Sequence, residues 1–123
     1  MHFDSVTPIY IQIADDIRTQ ILTGTLKEGD QVMSTTAYAT TYRINPATAA
    51  KAFAQLIDDQ LLEKRRGIGM FVRTGARERL RERGRSLYWE DTLDPALDKA
   101  LSLGLDEEAL IDHIRTYLRG QRP

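Results

Sequence analysis

Apolar side chains recur at helical spacing in several stretches of the chain, and two β-prone runs lie among them. Tyr10, Ile13, Ala14, Ile17 and Ile21 form one stripe, with Thr7-Pro8 as N-cap and first helical position and Gly24 as the stop, which predicts a helix over residues 8–23. Gln12, Asp15, Asp16, Arg18, Thr19 and Gln20 fall on the opposite, water-facing side. After the turn Leu26-Lys27-Glu28-Gly29-Asp30-Gln31 and the pair Val32-Met33, Ser34 caps a second helix over residues 35–42, with Ala37, Tyr38 and Ala39 available for packing. The third position after Ser34 is Ala37, so the acidic half of a capping box is missing. Arg43-Ile44 is a short turn. Asn45 then caps a third helix, Pro46 suits its first position, and the helix ends near Asp58-Asp59. Ala49, Ala52, Phe53 and Leu56 share one face of it, while Ala47, Thr48, Lys51, Ala54 and Gln55 share the other. Leu61 to Arg65 and Met70 to Thr74 read as strands, with Arg66-Gly67-Ile68-Gly69 as the hairpin between them.

Two helices joined by a three-residue turn form a helix-turn-helix, whose second helix is the usual reader of a DNA groove. Helix, helix, helix and hairpin is the winged-helix arrangement. From Ala76 the texture changes. Arg77-Glu78-Arg79-Leu80-Arg81-Glu82-Arg83 is highly charged and helix-prone and runs on through Ser86-Leu87-Tyr88-Trp89. Leu93, Leu97, Ala100 and Leu101 give another stripe, with Gly84 and Pro95 as candidate bends and Gly104 as a stop. Asp106 caps a last helix bearing Leu110, Ile111, Ile114, Tyr117 and Leu118. These two tail helices cannot enclose a core alone, and a second subunit is the expected cover. The fold class is thus mainly α with a small β-hairpin. A winged helix-turn-helix domain over residues 1–75 precedes a two-helix dimerisation segment over residues 76–123, with pairing through residues 76–119.

Composition adds exclusions. The chain has 123 residues, 41% hydrophobic, and no cysteine, so disulfides, thiolate metal sites and cysteine nucleophiles are ruled out. No apolar run approaches the roughly 18 residues of a membrane span. The start Met1-His2-Phe3-Asp4 lacks the features of a signal peptide, which makes the cytoplasm the expected location. A net charge of −1 speaks against nucleic-acid binding, but its distribution does not. Residues 1–59 carry 4 basic and 7 acidic side chains, residues 60–85 carry 9 and 3, and residues 86–123 carry 4 and 8. A basic block between acidic flanks suits a DNA footprint that the whole-chain pI conceals.

The candidate chemistry follows from that block. The outer face of the third helix is small and uncharged except for Lys51, so it can lie close against a wide groove. Ala47 and Thr48 can meet thymine methyls, Thr48 can bond a base edge or phosphate, and Lys51 can reach guanine or phosphate. On the helix alone, a merely solvated face is an equal reading. Lys64, Arg65 and Arg66 with Gly67 and Gly69 form a basic, glycine-containing wing that can rest on phosphate or enter the minor groove. The arginines of residues 77–85 read first as partners of Glu78 and Glu82 along a helix face. Tyr88, Trp89, His113 and Tyr117 read first as dimer core, with a small effector pocket as the other reading. His2 and His113 are the only histidines, so no His-rich metal site exists within one chain. No catalytic constellation and no cofactor motif is present.

Four blocks then carry a resemblance. They are Pro8-Ile9-Tyr10-Ile11-Gln12-Ile13-Ala14, Ile21-Leu22-Thr23-Gly24-Thr25-Leu26-Lys27-Glu28-Gly29-Asp30, Asn45-Pro46-Ala47-Thr48 and Arg65-Arg66-Gly67-Ile68-Gly69-Met70-Phe71-Val72. Together they resemble the DNA-binding domain of GntR-type bacterial regulators. The Asn45-Pro46-Ala47-Thr48 start of the reader helix and the short tail resemble the YtrA-like subfamily, in which the large effector domains of other branches have no room. The resemblance implies a homodimeric transcription factor, usually a repressor, bound to a two-fold double-stranded operator and released by a small effector. It also implies DNA contacts from Ser34, Thr35 and Thr36 at the second helix, from Asn45 and Pro46, and from the wing. The family usually carries Leu-Pro-Ser-x-Arg where this chain has Val32-Met33-Ser34-Thr35-Thr36, and often an arginine at Ala50. Fewer cationic contacts, and a lower affinity or altered sequence preference, are the expected result. The competing class is a winged-helix protein-interaction adaptor without specific DNA binding, which the loss of arginine at Thr36 would suit.

Overall fold

The computed structural model describes residues 3–122, so His2 of the histidine inventory and the Met1-His2 start lie outside the described residues. The chain forms two compact units, Met1–Arg83 and Gly84–Pro123. The first contains α1 (Ile9–Thr23), β1 (Gln31–Val32), α2 (Thr35–Tyr42), α3 (Pro46–Asp58), β2 (Leu62–Arg65), β3 (Gly69–Val72) and the start of α4 (Ala76–Tyr88). The expected helix-turn-helix and hairpin are therefore present.

α1 starts one residue later than expected. Pro8 is extended and caps through its backbone, its carbonyl accepting from the Ile11 and Gln12 amides. Thr7 is not a side-chain cap. The Gln12 amide instead donates to the Thr7 and Asp4 carbonyls at 2.7 and 3.1 Å. The Asp4 carboxylate accepts from the Val6 and Thr7 amides, which holds its acidity above that of an ordinary aspartate. Ile13, Ala14, Ile17 and Ile21 face a core completed by Tyr38 and Ala39 of α2, Ala49, Ala52, Phe53 and Leu56 of α3, Leu61, Leu62, Met70, Val72 and Ala76. Both stripes read from periodicity thus meet each other. Ala37, by contrast, is exposed.

Left-handed backbone flanks α3 on both sides. Before it, Arg43 has φ +54, and the Arg43 and Ile44 amides both donate to the Ala39 carbonyl, closing α2. After it, Gln60 has φ +63 and the Leu61 amide reaches the Leu56 carbonyl at 3.0 Å. Neither position is the glycine that such a cap favours.

The expected two-stranded ribbon gains a third strand. β1 pairs antiparallel with β3, giving the order β1-β3-β2, with Gln31 opposite Phe71 and Val32 opposite Met70. β2 pairs in register with Leu62 opposite Val72, Glu63 opposite Phe71, Lys64 opposite Met70 and Arg65 opposite Gly69. Alternation along the strands sends Leu62, Met70 and Val72 to the core and places Gln31, Glu63, Arg65 and Phe71 on the other face. Two residues are too short a run for periodicity to mark as a strand. The Gly29 amide to the Val72 carbonyl at 2.8 Å, and the Val72 amide to the Asp30 carbonyl at 2.9 Å, extend the pairing into the preceding loop.

Within α4, Arg77 and Arg79 do not serve only a charged helix face. Arg77 donates to the Leu22 carbonyl at 3.1 Å. Arg79 donates to the Gln60 and Thr74 carbonyls at 3.1 and 3.0 Å.

The second unit continues from α4 through a π-helical segment (Trp89–Leu93) to α5 (Asp94–Ser102) and α6 (Glu107–Gly120). α4 passes through Gly84 without a break. The irregular turn instead sits just before Pro95, at the start of α5. Proline lacks an amide hydrogen and its ring crowds the carbonyl four residues back, here Asp91, inside the widened turn. Gly104 ends the helical run with φ +82, and Asp106 caps α6 by accepting from the Ala109 amide at 2.9 Å. Ala100 is the buried apolar residue among the described residues of this unit, whereas Trp89, Leu101 and Leu103 are 60, 61 and 70% exposed. Among the described residues no helix is long and apolar enough to cross a membrane.

Candidate nucleic-acid interface

The outward face of α3 comprises Ala47, Ala50, Lys51, Ala54 and Gln55, all exposed, while Thr48 is half-buried. No acidic side chain appears on it before Asp58 in the last turn. The Asn45 side-chain Oδ1 accepts from the Ala47 amide at 2.8 Å, which leaves its NH₂ group to donate elsewhere. Ser34 repeats the arrangement at α2: its Oγ accepts from the Ala37 amide at 3.1 Å, and its hydroxyl proton remains available. Thr35 is half-buried and Thr36 exposed. The positive end of each helix dipole adds partial positive charge beside these donors.

Lys51 is not loose. Its Nζ lies 4.0 Å from the centre of the Tyr10 ring on α1, in a shallow groove that Ala54, Gln55 and Asp58 complete. Tyr10 is half-buried, and a cation over such a ring is worth on the order of 1 kcal/mol. That suffices to bias the lysine toward this side of α3, yet a phosphate can outcompete it. Tyr10 counted in sequence only as part of an apolar stripe. Nothing in the spacing links it to a lysine some forty positions on.

The wing distributes its cations unequally. Arg65 pairs with Glu63 at 2.9 Å, and its guanidinium covers the Phe71 ring at 4.1 Å. It belongs to the fabric of the outer sheet face. Lys64 and Arg66 are exposed and make no hydrogen bond, ion pair or ring contact among the described residues. The turn between the strands closes with the Ile68 amide on the Arg65 carbonyl at 3.0 Å, and Gly67 takes the left-handed position with φ +75. Gly69 has φ +146, and a Cβ there would come within 2.5 Å of the Gln31 amide nitrogen, which donates to the Ile68 carbonyl. Glu63 as partner of Arg65 was legible, since residues two apart in a strand share a face.

The remaining expected residues lie in the second unit. Tyr88 and Trp89 make an edge-to-face contact at 5.8 Å, and His113 and Tyr117 stack at 6.4 Å. All four are exposed.

Residues 9–72 match the family described as bacterial regulatory proteins, gntR family. The chain is 32% identical to the HTH-type transcriptional repressor YtrA of Bacillus subtilis over 111 residues, 90% of this chain and 85% of that protein. It is 28% identical over 120 residues to the HTH-type transcriptional regulator YhcF of the same organism, covering 96% of each. A GntR family transcriptional regulator from Listeria monocytogenes superposes with a TM-score of 0.69 at 29% identity, over 93% of this chain and 98% of that one. The helix-turn-helix, the basic wing and these similarities together place the chain in the GntR family of DNA-binding transcriptional regulators.

Proposed function

We propose that the protein acts as a homodimeric repressor on a two-fold operator. The observation that carries this reading is the apolar surface of the second unit. Ile111, Ile114 and Leu118 line α6, Leu101, Leu103 and Leu105 lie on and beyond the end of α5, and all are exposed. A unit with so little buried apolar surface is stabilised by a second copy, and a symmetric pair presents two readers to two half-sites about 34–36 Å or a multiple apart. Repression is taken from the likeness to YtrA.

In each half-site, α3 enters the major groove with Ala47 and Thr48 against base edges and Lys51 on guanine or phosphate. Ser34, Thr35, Thr36, Asn45 and Pro46 lie along the backbone as neutral donors or close-packing surface. The wing, through Lys64, Arg66, Gly67 and Gly69, rests on phosphate or reaches the minor groove, and Arg65 joins it by exchanging Glu63 for phosphate. Tyr88, Trp89, His113 and Tyr117 belong to the joint between subunits. An effector bound among them would change the separation of the two readers and so the affinity.

Selection of bound duplexes from a random pool by the full chain tests the reading. Two inverted half-sites at a fixed spacing are the expected product. Enrichment of a single, unrepeated site would overturn the two-fold arrangement.

A further inference from the structure

We propose that Arg43, in the turn between α2 and α3, is a phosphate-binding residue of the DNA interface; this rests on α3 being the groove helix. Three observations meet at this residue.

The first is conformational. Arg43 has φ +54, and its amide closes α2 on the Ala39 carbonyl. The turn needs a left-handed residue, which costs about 1–2 kcal/mol for a side chain other than glycine. The turn gives no reason for that residue to carry a guanidinium. The second is electrostatic. Residues 31–57 contain no acidic side chain, and Arg43 and Lys51 are their only charges. Lys51 is held over Tyr10. Arg43 is exposed and makes no side-chain hydrogen bond, ion pair or ring contact among the described residues. Arg18, Arg65, Arg77 and Arg79 are each engaged with a carboxylate or carbonyl. The third is positional. Arg43 stands two residues before Asn45, so its Cα is at most about 7–8 Å from the residue that caps α3. The start of α3 carries the positive end of the helix dipole. A polyanion approaching this end meets Arg43 beside it.

An unengaged cation at the rim of a groove reader contacts phosphate and carries little sequence information. In a chain with threonine at position 36 and alanine at position 50, it supplies positive charge to the helix-turn-helix from the turn rather than from the helices.

The test separates backbone from side chain, because glycine relieves the turn while deleting the charge. Full-length wild type, Arg43→Gly, Arg43→Lys and Arg66→Ala are compared by thermal midpoint and by salt-titrated affinity for the selected operator and for an unrelated duplex. Arg43→Gly is expected to keep or raise the midpoint. It should weaken binding to both duplexes about three- to tenfold near 0.1 M salt and lower the log–log salt slope by about one. Arg43→Lys is expected to keep that slope. Wild-type affinity and slope in Arg43→Gly, with Arg66→Ala weakened, would overturn the assignment of Arg43 alone. Unchanged binding in both variants would overturn the interface reading with it. A lowered midpoint with weakened binding in Arg43→Gly would mark a structural role and also overturn the proposal.

Discussion

At the scale of single residues, the structure explains why cations that look equivalent in the sequence are not. Lys51 sits over Tyr10 and Arg65 over Phe71, whereas Lys64 and Arg66 are unengaged. Gly69 shows how tightly the wing is built. The Gln31 side chain that a methyl would strike can swing away, so the cost of Gly69→Ala lies in its φ of +146. A loss of about 1–3 kcal/mol is expected in urea denaturation. Gly67→Ala, with φ +75 and nothing within 4 Å, would likewise lose only the backbone part. Tyr38 gives a pH signature. Burial raises its hydroxyl pKa above the ordinary 10.0, with Asp16 and Tyr42 adding to the effect. A raised folded-state pKa means that its contribution to stability is complete below about pH 10. It is lost as pH climbs toward the folded value. Wild type should therefore lose thermal stability above about pH 10 more steeply than Tyr38→Phe. Equal slopes would remove Tyr38 as the cause.

At the scale of elements, helices with an apolar stripe and a cap were legible. α1, α2 and α3 lie within a residue of their expected limits, because Ser34, Asn45 and the glycine after Thr23 mark their ends chemically. What could not be read depends on distant partners. β1 is a strand only because β3 lies beside it, and Arg79 looked like one more surface charge. Arg79 ties the left-handed Gln60 after α3 to the loop before α4. Arg79→Met should cost about 1–2 kcal/mol in chemical denaturation. Arg81→Met, an exposed neighbour two positions on, should stay within about 0.5 kcal/mol of wild type. Comparable losses in the two would show that net charge, not the staple, matters. The π-helical turn was half legible: Pro95 announced a disturbance, but its site one turn upstream follows from the carbonyl that the ring displaces.

At the scale of the molecule, the basic block in the middle of the chain was plain from charge counting. The compact units divide between Arg83 and Gly84, within α4. The apolar residues of α5 and α6 had been assigned to burial by their periodicity, yet most remain exposed in a single chain. Periodicity reports that a face wants cover and not what supplies it. Ile114→Asp combined with Leu118→Asp should give a monomer in sedimentation. Affinity for a single half-site should stay near wild type while affinity for the paired site falls by at least about tenfold. A dimer that survives both substitutions would place the joint elsewhere.

The exposed apolar surface of α5 and α6 also has a genetic meaning. On the proposed pairing, every copy must find a mate through a surface far in sequence from the reader. A copy with a ruined wing, such as Arg66→Ala with Lys64→Ala, keeps that surface whole and sequesters intact copies in half-blind pairs. Such alleles should be dominant when co-expressed with the wild type. An allele broken at Ile114 and Leu118 should be recessive, and its unmated chains, apolar side outward, should be the ones that cellular proteases remove.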